Sequence, residues 1–167
     1  MNKFVIADPS RCIGCRTCEL SCAIAHGNGS AISMSFSSFS PRISVVKAGD
    51  VTVPVMCKQC EDAPCVKACP TGALVRANGF VEIHEERCIG CKSCVVACPF
   101  GAIDILMKAG KASVIKCDLC VGQSTGPACI KTCPTNALSL CDQKQLDALK
   151  QKKLLRTAIG DNSHLLG

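Results

Sequence analysis

Short apolar segments separated by Gly, Asn and Asp dominate the hydrophobic pattern of this chain. Segments of this kind predict β-strands that pair as hairpins. The strongest turn signal is Asn78-Gly79, which lies between two apolar runs. A second turn is expected about Gly110. The predicted strand pairs are residues 73–76 with 80–83, 103–106 with 113–115, and 4–7 with 137–140.

The C-terminal segment has a different pattern. Residues 143–159 contain no Gly or Pro and are rich in Leu, Lys, Gln and Ala, and Asp142 can cap them. They predict a helix that ends at Gly160. Its apolar residues do not form one narrow stripe, so the helix either packs on its own domain while touching something else, or is partly frayed. It could cover its own module, or dock on another subunit or on a second copy of the chain.

Cysteine is the feature of the composition that changes this picture. The chain has 167 residues and is 48% hydrophobic, but it contains 17 Cys, only 3% aromatic residues, and no Trp or Tyr. Few large side chains therefore remain for an apolar core. Disulfides or metal must supply part of the stability.

The expected compartment favours metal over disulfides. The N-terminal residues show no sustained apolar region, small-residue cleavage site or twin arginine, and no apolar run approaches the ~18 residues of a membrane span. We therefore expect a cytoplasmic protein, in which thiols stay reduced and dense Cys indicates metal binding. An odd number of Cys also leaves one without a disulfide partner.

Sixteen of the cysteines form four motifs. Motifs one and three follow Cys-x2-Cys-x2-Cys-x3-Cys, motifs two and four widen the middle gap, and proline follows all but the first motif. This spacing is the signature of [4Fe–4S] sites, and four motifs are enough for four clusters. The predicted metal ligands, motif by motif, are Cys12, Cys15, Cys18 and Cys22; Cys57, Cys60, Cys65 and Cys69; Cys88, Cys91, Cys94 and Cys98; and Cys117, Cys120, Cys129 and Cys133.

Structural zinc is the competing interpretation. Zinc sites usually bring two Cys-x2-Cys pairs separated by a longer loop, often with a His ligand, whereas here no His lies inside a motif. The residues between the third and fourth Cys of each motif are compatible with one helical turn. Positions four apart share a helix face, so one short helix can hold ligands of two different clusters.

The motifs resemble those of the four-cluster ferredoxin-type subunits of molybdenum and tungsten oxidoreductases. The chain is most similar to the small iron–sulfur subunits of formate dehydrogenase and hydrogenase systems, such as formate hydrogenlyase and hydrogen-dependent CO2 reductase. The likeness is carried by residues 1–8, 12–19 and 57–65. It implies an α+β fold of two nested bacterial-ferredoxin-like modules, built from short helices and two-stranded hairpins, to which the C-terminal helix is added.

The resemblance also implies how the motifs pair, which the spacing alone leaves open. Motifs two and three would form an inner unit, and motifs one and four would close an outer unit. The fourth Cys of each motif would then bind the cluster of the partner motif. The implied ligand sets are Cys12, Cys15, Cys18 with Cys133; Cys117, Cys120, Cys129 with Cys22; Cys57, Cys60, Cys65 with Cys98; and Cys88, Cys91, Cys94 with Cys69.

By this resemblance the chain is expected to be a non-catalytic electron-transfer subunit that carries four [4Fe–4S] clusters. It would connect a formate dehydrogenase or CO2 reductase with a hydrogenase. A freely diffusing polyferredoxin and an iron–sulfur redox sensor are the alternatives, although the sequence shows no output domain for a sensor. No Ser–His–Asp set, phosphate-binding Gly loop or paired carboxylates indicate catalysis.

The motifs divide the chain into six segments. Motifs one to four occupy residues 1–26, 48–78, 79–109 and 110–141, a Ser-rich loop occupies 27–47, and the C-terminal helix and tail occupy 142–167. Three apolar residues in the Ser-rich loop suit either a flexible linker or the docking of a partner. They are Met34, Phe36 and Phe39.

Charge depends on the metal. The formal net charge is +6, but an oxidised cluster with four thiolates carries about −2, and four of them would bring the protein to about −2. No basic surface for nucleic acid then remains. Four basic residues inside the motifs would offset cluster charge or stay solvated: Arg16, Lys58, Lys67 and Lys92. Outside the motifs, we expect a buried free thiol at Cys141, and surface or structural roles for His26, His84 and His164.

Overall fold

Paired strands and short helices alternate along the chain in a computed structural model, which describes residues 3–27, 39–108 and 110–160. The strands are β1 (Phe4–Ala7), β2 (Ile43–Ala48), β3 (Val51–Met56), β4 (Leu74–Ala77), β5 (Phe80–Ile83), β6 (Asp104–Lys108), β7 (Lys111–Ile115) and β8 (Leu138–Cys141). The helices are α1 (Thr17–His26), α2 (Pro64–Lys67), α3 (Ser93–Ala97), α4 (Ala128–Lys131) and α5 (Gln143–Ile159), and Glu85–Arg87 form a 3-10 turn. Within the described residues, the strands form four antiparallel pairs: β1 with β8, β2 with β3, β4 with β5, and β6 with β7.

The three predicted strand pairs are confirmed. In β4–β5, Asn78 and Gly79 have φ values of 50° and 82°, the left-handed conformations that a type I′ turn needs. In β1–β8, Phe4 lies opposite Cys141, whose side chain is fully buried as expected. This pair joins the two ends of the ferredoxin-like region, because β1 precedes motif one and β8 follows motif four.

The hairpin β2–β3 replaces part of the predicted Ser-rich loop. The boundary expected at residue 48 falls inside this hairpin, and from Ile43 onward the structure has a strand where the sequence predicts a loop. Ile43 and Val45 are buried, while Gly49, with φ of 59°, begins the tight turn. Residues 28–38 of the predicted loop, with Met34 and Phe36, lie outside the described residues.

The helices that contain the third Cys of motifs two, three and four are only about one turn long. Each ends within two residues of a Cys-Pro pair, since proline cannot continue a helix. Motif one has Ala23 after its last Cys, and its helix α1 runs on to His26. The predicted helical turn between the third and fourth Cys is thus confirmed in all four motifs.

Two apolar cores show that the ferredoxin-like modules are nested. The outer core contains Val5, Ile43 and Leu138 together with cysteines of motifs one and four. The inner core contains Leu74 and Val114 together with cysteines of motifs two and three. The expected α+β fold of two nested modules is therefore confirmed.

Helix α5 stands largely apart from these cores. Asp142 forms a capping box with Gln145, which fixes the predicted start of the helix. No residue of α5 is buried, so the helix does not cover its own module. Its exposed apolar side chains are Leu146, Leu149, Leu154 and Leu155. Among the described residues, no helix is long and apolar enough to cross a membrane.

Candidate metal centres

The loops of motifs one and three share one backbone conformation. Gly14 and Gly90 both have φ of 70°, and the basic residue two positions later is also left-handed in each. Each glycine lies against a hairpin. A Cβ on Gly14 would be 2.9 Å from Thr52 Cγ2 on β3, and one on Gly90 would be 2.9 Å from the Cβ of Ala112 on β7. Hairpins β2–β3 and β6–β7 therefore cover equivalent loops.

Three of the implied ligand sets each line one cavity. Each cavity is lined by three Cys of one motif and the fourth Cys of the partner motif. The three groups are set A (Cys12, Cys15, Cys18, Cys133), set C (Cys57, Cys60, Cys65, Cys98) and set D (Cys69, Cys88, Cys91, Cys94).

Of the remaining thiols, Cys22, Cys117 and Cys129 lie in the outer core, and the buried Cys120 interacts electrostatically with Cys129. These four form set B (Cys22, Cys117, Cys120, Cys129). Burial, reinforced by Cys117, Cys22 and Cys120, raises the pKa of Cys129 to about 12. The backbone N–H of Arg42 donates to the Sγ of Cys22 at 3.3 Å. The structure thus brings Cys22, the fourth Cys of motif one, next to three Cys of motif four, as the resemblance implies.

Six of these thiols would be poor thiolates without a metal, because burial raises their pKa: Cys18, Cys60, Cys65, Cys94, Cys117 and Cys129. Burial raises the pKa of Cys18 and Cys65 to about 11 and that of Cys117 to about 12. A hydrogen bond with Thr17 instead lowers the pKa of Cys15, which is exposed. A bound metal ion offsets the cost of a buried thiolate, and an all-sulfur donor set suits an Fe–S cluster. All 17 cysteines are free, so no disulfide competes for them.

A charged network lies beside set B. Asp118 accepts from His26 Nε2 at 2.9 Å and pairs with the guanidinium of Arg42 at 2.5 Å. The hydrogen bond to Asp118 raises the pKa of His26 to about 12. Burial alone would raise the pKa of Asp118, but the hydrogen bond from His26 and the charge of Arg42 lower it to about 2. The ligand atoms of His26, Asp118 and Cys120 lie within 4.8 Å of one another, so the network borders set B directly.

The two modules meet at the backbone carbonyl of Cys117. The Nε2 of Gln59, in the motif-two loop, donates to this oxygen at 2.7 Å, and the Nζ of Lys116 donates to it at 3.0 Å. Both side chains are fully buried. The Oε1 of Gln59 also accepts from the backbone N–H of Val81 at 2.9 Å. A polar junction therefore connects set C to set B.

The basic residues selected from the sequence are not the ones that the fold buries. The side chains of Arg16 and Lys67 are 70% and 66% exposed, and Lys92 is also exposed. Lys58 is half-buried. Among the residues that the structure describes, the fully buried basic residue is Lys116, which precedes the first Cys of motif four and was not among the residues selected from the sequence. Its only sequence signal is its position at the end of a buried apolar strand.

Comparison with known proteins decides between iron–sulfur and zinc, since four-Cys sites suit both. Residues 50–143 match the 4Fe-4S dicluster domain, and residues 9–25 match a 4Fe-4S binding domain. The chain belongs to the 4Fe-4S dicluster family. It binds [4Fe–4S] clusters, and its sixteen motif cysteines are the number that four clusters require.

Several relatives align with nearly the whole chain. Electron transport protein HydN of Escherichia coli strain K12 is 46% identical over 173 residues, covering 95% of this chain and 99% of HydN. An iron-sulfur protein of Rhodospirillum rubrum is 42% identical over 165 residues, covering 89% and 85%. Formate hydrogenlyase subunit 2 of E. coli K12 is 37% identical over 185 residues, covering 92% and 88%. The family resemblance carried by the motifs is confirmed.

Proposed function

We propose that this protein is an electron-transfer subunit that relays electrons between redox partner subunits and has no catalytic site of its own. A bound [4Fe–4S] cluster supplies reversible one-electron chemistry. The observation that carries the proposal is the exchange of thiols around sets A, C and D, where each cavity combines two motifs. This arrangement is the one expected for paired ferredoxin clusters. We infer that the sixteen Cys of sets A to D are the ligands.

The four sets follow one another in a series. Helix α1 carries ligands of both A and B, and helices α2 and α3 connect C with D. The hydrogen bond from Gln59 to Cys117 joins B to C. Cys15 in set A and Cys91 in set D are exposed, so both ends of the series are open to partners. A relay between two partners requires such a series with two accessible ends.

The partners we propose are a formate dehydrogenase or CO2 reductase at one end and a hydrogenase at the other. The names of the relatives support this choice, since one is a subunit of formate hydrogenlyase and another an electron transport protein. We also place the protein in the cytoplasm, where dense thiols stay reduced.

A freely diffusing polyferredoxin is the second candidate, and helix α5 argues against it. Most of the stability of a helix in a protein comes from tertiary packing of its apolar side chains, and α5 has 17 residues with exposed Leu side chains. Because α5 buries none of its residues on its own module, a surface of another protein or of a second copy would supply the missing contacts. This supports a subunit of a larger complex.

Iron counts in paired variants test the ligand sets. The anaerobically purified protein should contain about sixteen iron and sixteen sulfide, and Cys133→Ala should contain about twelve iron. Cys12→Ala with Cys133→Ala should also retain about twelve, because both residues belong to set A, whereas Cys117→Ala with Cys133→Ala should fall to about eight. The buried thiol Cys141 provides the control, and Cys141→Ala should keep the full iron content. Stoichiometric zinc would contradict the assignment. So would the reverse iron counts, with about eight iron in the Cys12→Ala, Cys133→Ala variant and about twelve in the Cys117→Ala, Cys133→Ala variant.

Electron exchange with partners is tested by cluster reduction. The oxidised protein is mixed anaerobically with formate and a catalytic amount of formate dehydrogenase, or with H2 and a hydrogenase, and the visible absorbance is followed. Bleaching should occur with both donors at rates that saturate with partner concentration. Failure of both enzymes to reduce a protein with full iron content would show that these are not its partners.

A further inference from the structure

Lys116 is a fully buried cation between the two modules. Its side chain has 0% exposure, and its Nζ donates to the carbonyl oxygen of Cys117 at 3.0 Å. That carbonyl also accepts from Gln59, which adjoins the set C ligands Cys57 and Cys60 in the motif-two loop. The ammonium group therefore lies at the junction of sets B and C.

No carboxylate of the described residues lies within ion-pairing distance of Lys116. Burial lowers the pKa of Lys116, and the thiols of Cys57, Cys117 and Cys65, followed by the carboxylate of Asp118, oppose that shift by favouring the charged form. Cys117 belongs to set B, and Cys57 and Cys65 belong to set C. A buried ammonium without a nearby anion is strongly unfavourable, so Lys116 would be destabilising if the junction carried no negative charge.

We propose that Lys116 is the shared counter-charge of the two central clusters, which are those held by sets B and C. It raises their reduction potentials above the values that they would have without it. The inference rests on the proposed ligand sets. A cluster with four thiolates is an anion of about −2, and each added electron makes it more negative. A fixed cation in the low dielectric of the interior favours that electron on either neighbour.

The position of Lys116 makes this effect selective. Sets A and D are each one step further along the series, since helix α1 carries ligands of A and B, and helices α2 and α3 connect C with D. The lysines and arginines within the motif loops near them are largely solvated, so water screens their charges. The two central clusters would thus accept electrons more readily than the same clusters around a neutral residue, and the step between modules would not be a barrier.

Substitution of Lys116 by methionine tests the proposal, because methionine keeps the length of the side chain and removes the charge. The anaerobic holoprotein is titrated with redox mediators and followed by EPR and visible absorbance, after its iron content has been measured. Two of the four clusters should shift to lower reduction potential. The expected shift corresponds to a tenfold or greater change in the oxidised-to-reduced ratio at a given potential, which is about 59 mV for one electron. Lys116→Arg should restore potentials close to the unmodified protein. Lys67→Met, an exposed lysine in motif two, is the matched control and should shift no cluster tenfold.

Removal of set C identifies the clusters that respond. In a Cys57→Ala background, Lys116→Met should shift only one of the remaining clusters. Unchanged potentials in Lys116→Met with full iron would overturn the proposal, as would an equal shift of all four clusters or the same shift in Lys116→Arg. If Lys116→Met loses iron, retention of full iron by Lys116→Arg supports the charge role, and equal loss overturns it. An unmodified protein with fewer than four clusters would instead refute the ligand sets themselves.

Discussion

Replacing Gly90 by alanine tests how hairpin β6–β7 holds the motif-three loop. Gly90 has φ of +70°, and an added Cβ would lie 2.9 Å from the Cβ of Ala112. The neighbouring atom belongs to a strand residue with no side-chain torsion to relieve the contact. Either the loop that carries Cys88 and Cys91 or the hairpin must move.

The expected cost has two parts. An L-residue in the left-handed region costs about 1–2 kcal/mol, and overpacking a well-packed contact costs about 1–3 kcal/mol more. Gly101 has φ of +59°, but a Cβ added there would meet nothing within 4 Å beyond its chain neighbours, so Gly101→Ala carries only the first part. Gly90→Ala should therefore destabilise the holoprotein by about 2–5 kcal/mol and Gly101→Ala by about 1–2 kcal/mol.

A double-mutant cycle isolates the contact. Ala112→Gly alone should cost about 0.5–1 kcal/mol, because Gly weakens a strand, but combined with Gly90→Ala it should remove the clash and restore much of the lost stability. The assay is the guanidinium midpoint for loss of visible cluster absorbance, under anaerobic conditions and at matched iron content. If Gly90→Ala and Gly101→Ala have the same midpoint, or if Ala112→Gly gives no rescue, the packing argument is wrong.

Three further predictions concern other contacts. Asp118→Asn should lower the same guanidinium midpoint by the equivalent of about 3 kcal/mol, because it leaves the half-buried Arg42 without its carboxylate. The control is Asp62→Asn, which breaks only an exposed ion pair and should change the free energy of unfolding by about 0.5 kcal/mol or less. Asp142→Ala should cost helix α5 about 1 kcal/mol through loss of its capping box, visible as lower helicity by circular dichroism. Deletion of residues 143–167 should leave the iron content full but reduce assembly size and partner co-purification; unchanged assembly would rule out a docking role for the tail.

Much of the fold follows from local signals in the sequence. Asn78-Gly79 needs only its own backbone preference to turn β4 into β5, and proline after the last Cys stops helices α2 and α4 wherever they lie. In motifs one and three the Cys spacing places three thiols within seven residues, so the candidate ligands of each motif could be selected without knowledge of the rest. These features share one property, which is that their cause lies within a few residues.

The parts that the sequence did not reveal depend on distant residues. Lys116 is buried because the motif-two loop and Gln59 fold over it, and no local pattern marks that contact. His26 and Asp118 are 92 positions apart and meet only after motif four folds onto helix α1. Arg16 lies as close to a motif cysteine in sequence as Lys116 does, and Lys67 lies only one position further away, but both point to solvent. Proximity along the chain therefore did not distinguish the buried lysine from the exposed basic residues.

The missed hairpin β2–β3 shows how an internal repeat carries more information than local patterning. Motifs one and three share Arg-Cys-Ile-Gly-Cys, and a strand residue faces the glycine of each loop, Thr52 for Gly14 and Ala112 for Gly90. In the outer module β2–β3 thus has the same place that β6–β7 has in the inner module. Because an equivalent loop needs an equivalent cover, the confirmed hairpin after motif three predicts a hairpin after motif one, even beside a Ser-rich stretch. The two modules then differ chiefly in what is inserted between their motifs, since the outer one contains the whole inner module and meets it at Lys116 and Gln59.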